Sequence, residues 1–158
     1  MVGILHTGFR IAPSDSEHTG AMFGDGIYFS DIFTKAFNYT SGQNYHQFSY
    51  GKKHVKPPKK YMFLCEVALG TSKELFESES TIKGIPGSKF QSVKGLGERG
   101  PNPADNIYLP NGCIMPLGKI EKNEQPKTKN FSYWQLNHDE YIVYDTTQVR
   151  IRYLLELR

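Results

Sequence analysis

The pattern of apolar and polar positions along the chain is mostly that of β-strands. Residues 61–69 are apolar at nearly every position, which predicts a central strand that is covered on both faces. Residues 149–157 alternate between apolar and polar side chains, which predicts a strand with one buried face. The side chains predicted to share that face are Val149, Ile151, Tyr153, Leu155 and Leu157. A turn at residues 145–147 separates this strand from another predicted at residues 140–144.

Shorter elements are predicted elsewhere. Residues 22–30 carry β-forming side chains around two glycines, which indicates a bent strand. Ser30 or Asp31 is placed to cap a short helix that ends near Tyr39. The predicted apolar face of that helix holds Phe33, Ala36 and Phe37. Residues 4–9 are typical of the last turns of a helix that begins outside this sequence. Further short strands are predicted at residues 74–76 and 90–94, and loops at 12–20, 51–60 and most of 95–130.

Length and composition narrow the class of protein. A chain of 158 residues corresponds to one domain or a piece of one. Hydrophobic residues make up 38% and aromatic residues 13% of the chain, which is enough for a packed core and excludes global disorder. Strands outnumber helices and no internal repeat is visible, so the predicted class is α+β.

Cysteine usage and hydropathy exclude several kinds of protein. The 2 cysteines form no CxxC pair, so zinc fingers and disulfide scaffolds are excluded and no metal site is predicted. The first residues lack the basic flank of a signal peptide, and no apolar run is long enough to span a membrane. We therefore expect a soluble intracellular protein without a membrane partner.

Two features that look like binding motifs have simpler explanations. Residues 95–100 match GxGxxG, but Pro101 follows where a dinucleotide-binding loop must open a helix, so we interpret them as a loop. The net charge is only +3, and the lysines at residues 52–60 come without an aromatic platform or a recognition helix. A solvated connection is therefore favoured there over a nucleic-acid site.

Several motifs, taken together, indicate a known protein family. Their order and spacing follow the sequence of the catalytic domain of poly(ADP-ribose) polymerases, most closely that of the nuclear, DNA-dependent members. The matching segments are residues 3–5, 8–13, 26–31, Lys35 with 38–39, 65–70, 92–97 and 140–145. The chain resembles that family over nearly all of its 158 residues.

The resemblance implies an α+β ADP-ribosyltransferase fold, with two packed, mostly antiparallel sheets, few short helices and an NAD+ cleft. Residues 1–158 are then part of a poly(ADP-ribose) polymerase catalytic domain. In the family a His-Gly pair precedes the position of Gly3, so we expect an N-terminally truncated domain. The resemblance also implies a nuclear location, or else a cytoplasmic one, and DNA binding only through domains outside this chain.

The resemblance assigns site residues as well. In the family two tyrosines sandwich nicotinamide, which assigns Tyr28 and Tyr39, and an aromatic face suits a flat cationic ring. The other residues implied to contact NAD+ are Gly3, Arg10, Gly20, Lys35 and Ala36. Ala36 stands where the family has a serine that hydrogen-bonds the carboxamide, and Ala21 where it has a tyrosine.

Glu140 matches the family's catalytic glutamate. Cleavage of the bond between nicotinamide and ribose places positive charge on the sugar, and a carboxylate bonded to a ribose hydroxyl stabilises that charge. The same carboxylate can polarise an acceptor hydroxyl. The implied reaction is transfer of ADP-ribose from NAD+, as substrate and without a metal, to protein acceptors or to ADP-ribose chains.

Two alternatives stay open at the level of sequence. One is a catalytically silent fragment or pseudoenzyme that binds nucleotide or partners without turnover. The other is a basic nucleic-acid-binding module, which only the lysines of residues 52–60 favour.

Overall fold

The computed structural model describes residues 2–13, 21–40, 59–84, 89–127 and 131–157. The helices are α1 (Val2–Thr7) and α2 (Phe33–Asn38). The strands are β1 (Ile27–Phe29), β2 (Lys60–Val67), β3 (Ser72–Leu75), β4 (Ser92–Gly95), β5 (Arg99–Pro101), β6 (Ile107–Tyr108), β7 (Ile114–Met115), β8 (Ile120–Lys122), β9 (Glu140–Val143) and β10 (Val149–Leu157). Two 3-10 turns span Pro103–Asp105 and Thr146–Gln148. Strands dominate and the helices are short, so the predicted α+β class is confirmed.

The central sheet has the strand order β1-β9-β4-β3. Strand β9 is antiparallel to both β1 and β4, whereas β3 runs parallel to β4. Ile142 of β9 pairs with Tyr28 on one side and Val93 on the other, so these three side chains share one face of the sheet. The core cluster on that face consists of Phe23, Ile82, Val93, Ile142 and Tyr144. A strand between two partners is shielded along both edges, so β9 is a central strand of this sheet, as is β4.

The prediction that residues 61–69 form a central strand covered on both faces is wrong. Strand β2 pairs with β10 in a two-stranded sheet, and none of its residues is fully buried. Phe9 packs against Phe63 on one face, but Leu64 on the other face is 46% exposed. An apolar run shows that a strand can be buried, whereas only the pairing of strands decides whether it is.

The prediction for the last strand needs one correction. The register between β10 and β2 shifts between Ile151 and Tyr153, where an extra residue forms a bulge. Beyond the bulge the side chains change faces, so Tyr153 does not share a face with Val149 and Ile151 and is 64% exposed. The sequence does alternate, but the extra residue at the bulge moves the alternating side chains that follow it to the opposite face of the strand.

The helices agree with the predictions except at one cap. Helix α1 ends at Thr7, and Gly8 follows with a φ of 76°, a conformation that glycine adopts without strain. Helix α2 begins after Ile32, and neither of the two predicted capping side chains, Ser30 and Asp31, caps it. Oδ2 of Asp31 instead accepts a hydrogen bond of 2.8 Å from the Tyr141 hydroxyl, which directs the carboxylate towards β9.

Two other predictions are revised. Residues 95–130, predicted to be mostly loop, contain the small sheets β5–β8 and β6–β7, whose strands of two or three residues are too short to show a period of two. Only residues 27–29 of the bent strand predicted at 22–30 form a strand, because a turn at Gly24 precedes it. No helix in the described ranges is long and apolar enough to cross a membrane.

Candidate active site

Glu140 and Lys35 form an ion pair at the end of the central strand. Glu140 is the first residue of β9 and is only 8% exposed. The ammonium of Lys35, on α2, lies 2.7 Å from Oε1 of Glu140 and also donates a hydrogen bond of 3.0 Å to the carbonyl oxygen of His138. Because burying a carboxylate is costly without a partner, the ammonium of Lys35 offsets the burial of Glu140 and holds its side chain in one direction.

The strand register explains why these distant residues meet. Phe29 at the end of β1 pairs with Tyr141, so the chain that leaves β1 passes beside Glu140. The hydrogen bond between Tyr141 and Asp31 then fixes the connection that leads into α2. Lys35 is the third residue of that helix, and its long side chain reaches the carboxylate.

The ion pair lies in a cleft of about 400 Å³. Its walls are the last turn of α2 and the segment that leads into β9. The lining residues are Lys35, Asn38, Tyr39, Gln135, Leu136, Asn137, His138 and Glu140. A cleft with one carboxylate, one ammonium and several amide groups can hold a ligand rich in hydroxyl groups and stabilise positive charge that develops beside the carboxylate.

The two tyrosines assigned to nicotinamide have different surroundings. Tyr39 lines the cleft and is 81% exposed, so its ring is free to stack on a flat ligand. Tyr28 is not among the residues that line the cleft. Its hydroxyl donates to the carbonyl oxygen of Gly24 at 2.8 Å and accepts from the Phe23 amide at 3.0 Å, while the side chain packs against the core cluster.

Tyr28 nevertheless lies near the catalytic candidate. Its partner Ile142 is two residues from Glu140, so Tyr28 and Glu140 project from the same face of the sheet. Burial, with a smaller contribution from the negative charges of Glu140 and Asp25, raises the pKa of Tyr28 to about 12 against the opposing effect of the hydrogen bond from the Phe23 backbone. The hydroxyl is therefore neutral at physiological pH.

The other assigned residues are not gathered around Glu140. Ala36 is half-buried on α2 but does not line the cleft. Gly3 on α1 and Arg10 after it are exposed, and neither lines the cleft. Gly20 lies outside the described residues.

Sequence reasoning missed one wall of the cleft. Gln135, Asn137 and His138 line it, yet none matched a motif. Their position directly before the strand that begins at Glu140 was the available signal, because residues next to the end of a central strand lie at the same edge of the sheet. In the described part of the chain, no group of three His, Cys, Asp or Glu side chains is arranged to hold a metal ion.

Comparisons with known proteins identify the family of the chain. The family described as "Poly(ADP-ribose) polymerase catalytic domain" matches residues 1–158. The chain is 37% identical to poly(ADP-ribose) polymerase 2 of Arabidopsis thaliana, with 99% of this chain and 22% of that protein covered. It is 40% identical to poly(ADP-ribose) polymerase 2 of Homo sapiens, with 99% and 24% covered. For poly(ADP-ribose) polymerase 1 of Xenopus laevis the identity is 41%, with 99% and 14% covered.

The match extends over nearly the whole chain, although the chain spans about a quarter or less of the length of these relatives. The resemblance found in the sequence motifs is thereby confirmed. The chain belongs to the poly(ADP-ribose) polymerase catalytic domain family.

Proposed function

We propose that this chain transfers ADP-ribose from NAD+ to protein acceptors and releases nicotinamide. The observation that carries the proposal is the buried ion pair of Glu140 and Lys35 in the cleft of a domain that matches the family over its whole length. The chain spans a quarter or less of the length of the relatives that it matches. The choice of acceptor proteins and the elongation of ADP-ribose chains are therefore proposed for the whole protein.

Glu140 is the residue that stabilises the transition state in this mechanism. As the bond between nicotinamide and ribose breaks, positive charge develops on the sugar. Lys35 occupies Oε1 of Glu140, so Oε2 is the oxygen that accepts a hydrogen bond from a ribose hydroxyl. A carboxylate that is already oriented and largely removed from water stabilises the charge without reorganising during the reaction.

Lys35 has two roles. Its ammonium compensates the charge of Glu140 before NAD+ binds, and its bond to the His138 carbonyl fixes the backbone two residues before the glutamate. The carboxylate is therefore held in place beside the cleft. When the acceptor arrives, the same carboxylate can accept a proton from its nucleophilic group.

Tyr39 supplies the surface for the leaving group. Its exposed ring at the cleft offers a face that attracts the cationic pyridinium. Tyr28 is proposed as a second contact through its ring, since its hydroxyl is already bonded within the protein. The remaining NAD+ contacts proposed by resemblance are Gly3, Arg10, Gly20 and Ala36.

The proposal includes a nuclear location for the protein, with any DNA recognition carried by other parts of the whole protein. No observation on the described residues favours a catalytically silent binding module.

The deciding experiment measures transfer of labelled ADP-ribose from NAD+ by the whole protein and by Glu140→Gln. We expect turnover to fall about 100-fold or more, since removal of one transition-state contact of this kind has that effect. Glu79→Gln is the matched control, because Glu79 pairs with Lys73 away from the cleft. Unchanged turnover in a folded Glu140→Gln protein would refute the assignment.

A further inference from the structure

Asp139, the residue immediately before Glu140, is bound on the side of the chain that faces away from the cleft. It is 3% exposed. Oδ1 accepts hydrogen bonds from the Gly97 amide at 2.8 Å and from Asn123 Nδ2 at 3.0 Å, and Oδ2 lies 3.0 Å from the ammonium of Lys94. Successive side chains of an extended chain point in opposite directions, so Glu140 faces the cleft while Asp139 is held from behind.

Residues 94–99, here called the backing segment, support the chain that leads into Glu140. Gly95 pairs with Glu140 in the sheet. The amides of Glu98 and Arg99 donate to the carbonyl oxygens of Leu136 and Asn137 at 2.9 and 3.0 Å. The side chain of Asp139 adds two further contacts with the backing segment, one with the Gly97 amide and one with the Lys94 ammonium.

The glycines of the backing segment allow it to lie this close. A Cβ at Gly97 would overlap the backbone of His138, and one at Gly95 would overlap the ring of Phe23. These glycines belong to the GxGxxG sequence that was excluded as a dinucleotide-binding loop. Their function here is close backbone approach, which side chains larger than hydrogen prevent.

We propose that Asp139 is a positioning residue for Glu140. The inference rests on the proposed transferase activity and adds a residue to which the family resemblance assigns no role. Two adjacent carboxylates each form an ion pair with a lysine. Glu140 pairs with Lys35 on the side of the cleft, and Asp139 pairs with Lys94 on the opposite side of the chain. The second pair anchors the backbone of the catalytic glutamate against the backing segment.

This arrangement predicts a particular kinetic signature. Glu140 stabilises the transition state, so a shift of its backbone lowers kcat while the affinity for NAD+, which depends on many other contacts, changes little. A purely structural role for Asp139 would lower the fraction of folded protein and leave the kcat of the folded molecules unchanged.

The test compares Asp139→Ala, Asp139→Asn and Lys94→Met in the whole protein, with kcat and KM for NAD+ measured alongside thermal melting. For Asp139→Ala we expect kcat to fall about tenfold or more with KM within about threefold, the order expected when a catalytic group is displaced. Asp139→Asn keeps an acceptor oxygen for Gly97 and Asn123 but loses the ion pair with Lys94, so its kcat should fall about as far as that of Lys94→Met and less than that of Asp139→Ala.

The control is Glu79→Gln, which breaks the comparable pair with Lys73 on the edge strand of the same sheet. Its kcat should equal that of the wild type. If Asp139→Ala does not fold, Lys94→Met carries the test, with an expected fall in kcat of about threefold or more.

The inference is overturned if folded Asp139→Ala, or Lys94→Met in its place, keeps kcat within twofold, or if activity falls only in proportion to the unfolded fraction. That outcome leaves the proposed function intact when Glu140→Gln is inactive in the same assay. A wild-type protein without turnover, or an active Glu140→Gln variant, overturns the proposed function and the inference with it.

Discussion

The ammonium of Lys35 lies 2.7 Å from the carboxylate of Glu140, and both side chains are almost fully enclosed, 13% and 11% exposed. The pair joins the short helix α2 to the first residue of the central strand. Lys35 also donates a hydrogen bond to the carbonyl oxygen of His138, in the backbone that precedes β9. The cleft is therefore built around a charge pair that couples two separate parts of the fold.

Lys35→Met tests this pair. The variant leaves the buried carboxyl group of Glu140 without its ion partner, so we expect the free energy of unfolding to fall by about 1 to 3 kcal/mol and turnover to fall about tenfold or more. Denaturant unfolding and NAD+ turnover measure the two effects. Lys122→Met is the control, because Lys122 is exposed and its pair with Glu98 should contribute less than about 1 kcal/mol.

A double variant sharpens this prediction. Lys35→Met combined with Glu140→Gln removes both charges, so the double variant should be more stable than Lys35→Met alone while remaining inactive. Equal stability of the single and double variants would show that the lysine acts through packing and not through the charge of Glu140.

Tyr39→Ala tests the stacking surface. We expect a flat, nicotinamide-like inhibitor to bind more weakly by about 1 to 2 kcal/mol, the order of one lost aromatic stack, whereas Tyr39→Phe should bind as the wild type does. Calorimetry on the three proteins gives the values. Tyr133→Ala is a suitable control, because Tyr133 is 66% exposed and does not line the cleft.

Gly97→Ala tests the close approach of the backing segment. The new methyl group would overlap the backbone of His138, so we expect a loss of stability of about 1 to 3 kcal/mol. Gly3→Ala serves as the comparison in melting experiments, since a Cβ there meets no atom within 4 Å and alanine favours a helix. Melting temperatures that shift equally in both variants would contradict the role assigned to Gly97.

Asp31→Asn tests the pH dependence of stability. Burial raises the pKa of Asp31 in spite of the hydrogen bond from Tyr141, and Oδ1 has no hydrogen-bond partner among the described residues. The folded state therefore holds this proton more tightly than the unfolded chain, and the free energy of unfolding falls as the pH rises above about 4 towards the raised pKa. Asparagine does not ionise, so the variant should gain stability relative to the wild type between pH 4 and 7.

Asp145→Asn provides a control of opposite sign. Hydrogen bonds from the Thr147 amide and hydroxyl lower the pKa of Asp145, so its contribution is present above its ordinary pKa and is lost as the pH falls. Denaturant unfolding at pH 4 and pH 7 compares the two variants. An Asp31→Asn protein whose stability relative to the wild type does not rise with pH would contradict the assigned penalty.

The predictions from the sequence succeeded where the signal was local and failed where it depended on pairing. The α+β class, the end of α1 at Gly8 and the strand from Glu140 follow from glycine positions and short apolar patterns. The central strand was wrongly placed at residues 61–69, because an apolar run does not reveal how many partners a strand has. The shared face of β10 failed at the bulge before Tyr153, since a pattern of alternating residues continues unchanged through an inserted position.

The sequence by itself determined the family of this chain and the position of Glu140 at the start of a strand, because both depend on the order and spacing of residues along the chain. Only the tertiary structure decided that Lys35 meets Glu140, that Tyr39 lines the cleft while Tyr28 packs against the core, and that Asp139 is held from behind. Those contacts join segments that are far apart in sequence, and strand register together with the close approach of glycine backbones brings them within bonding distance.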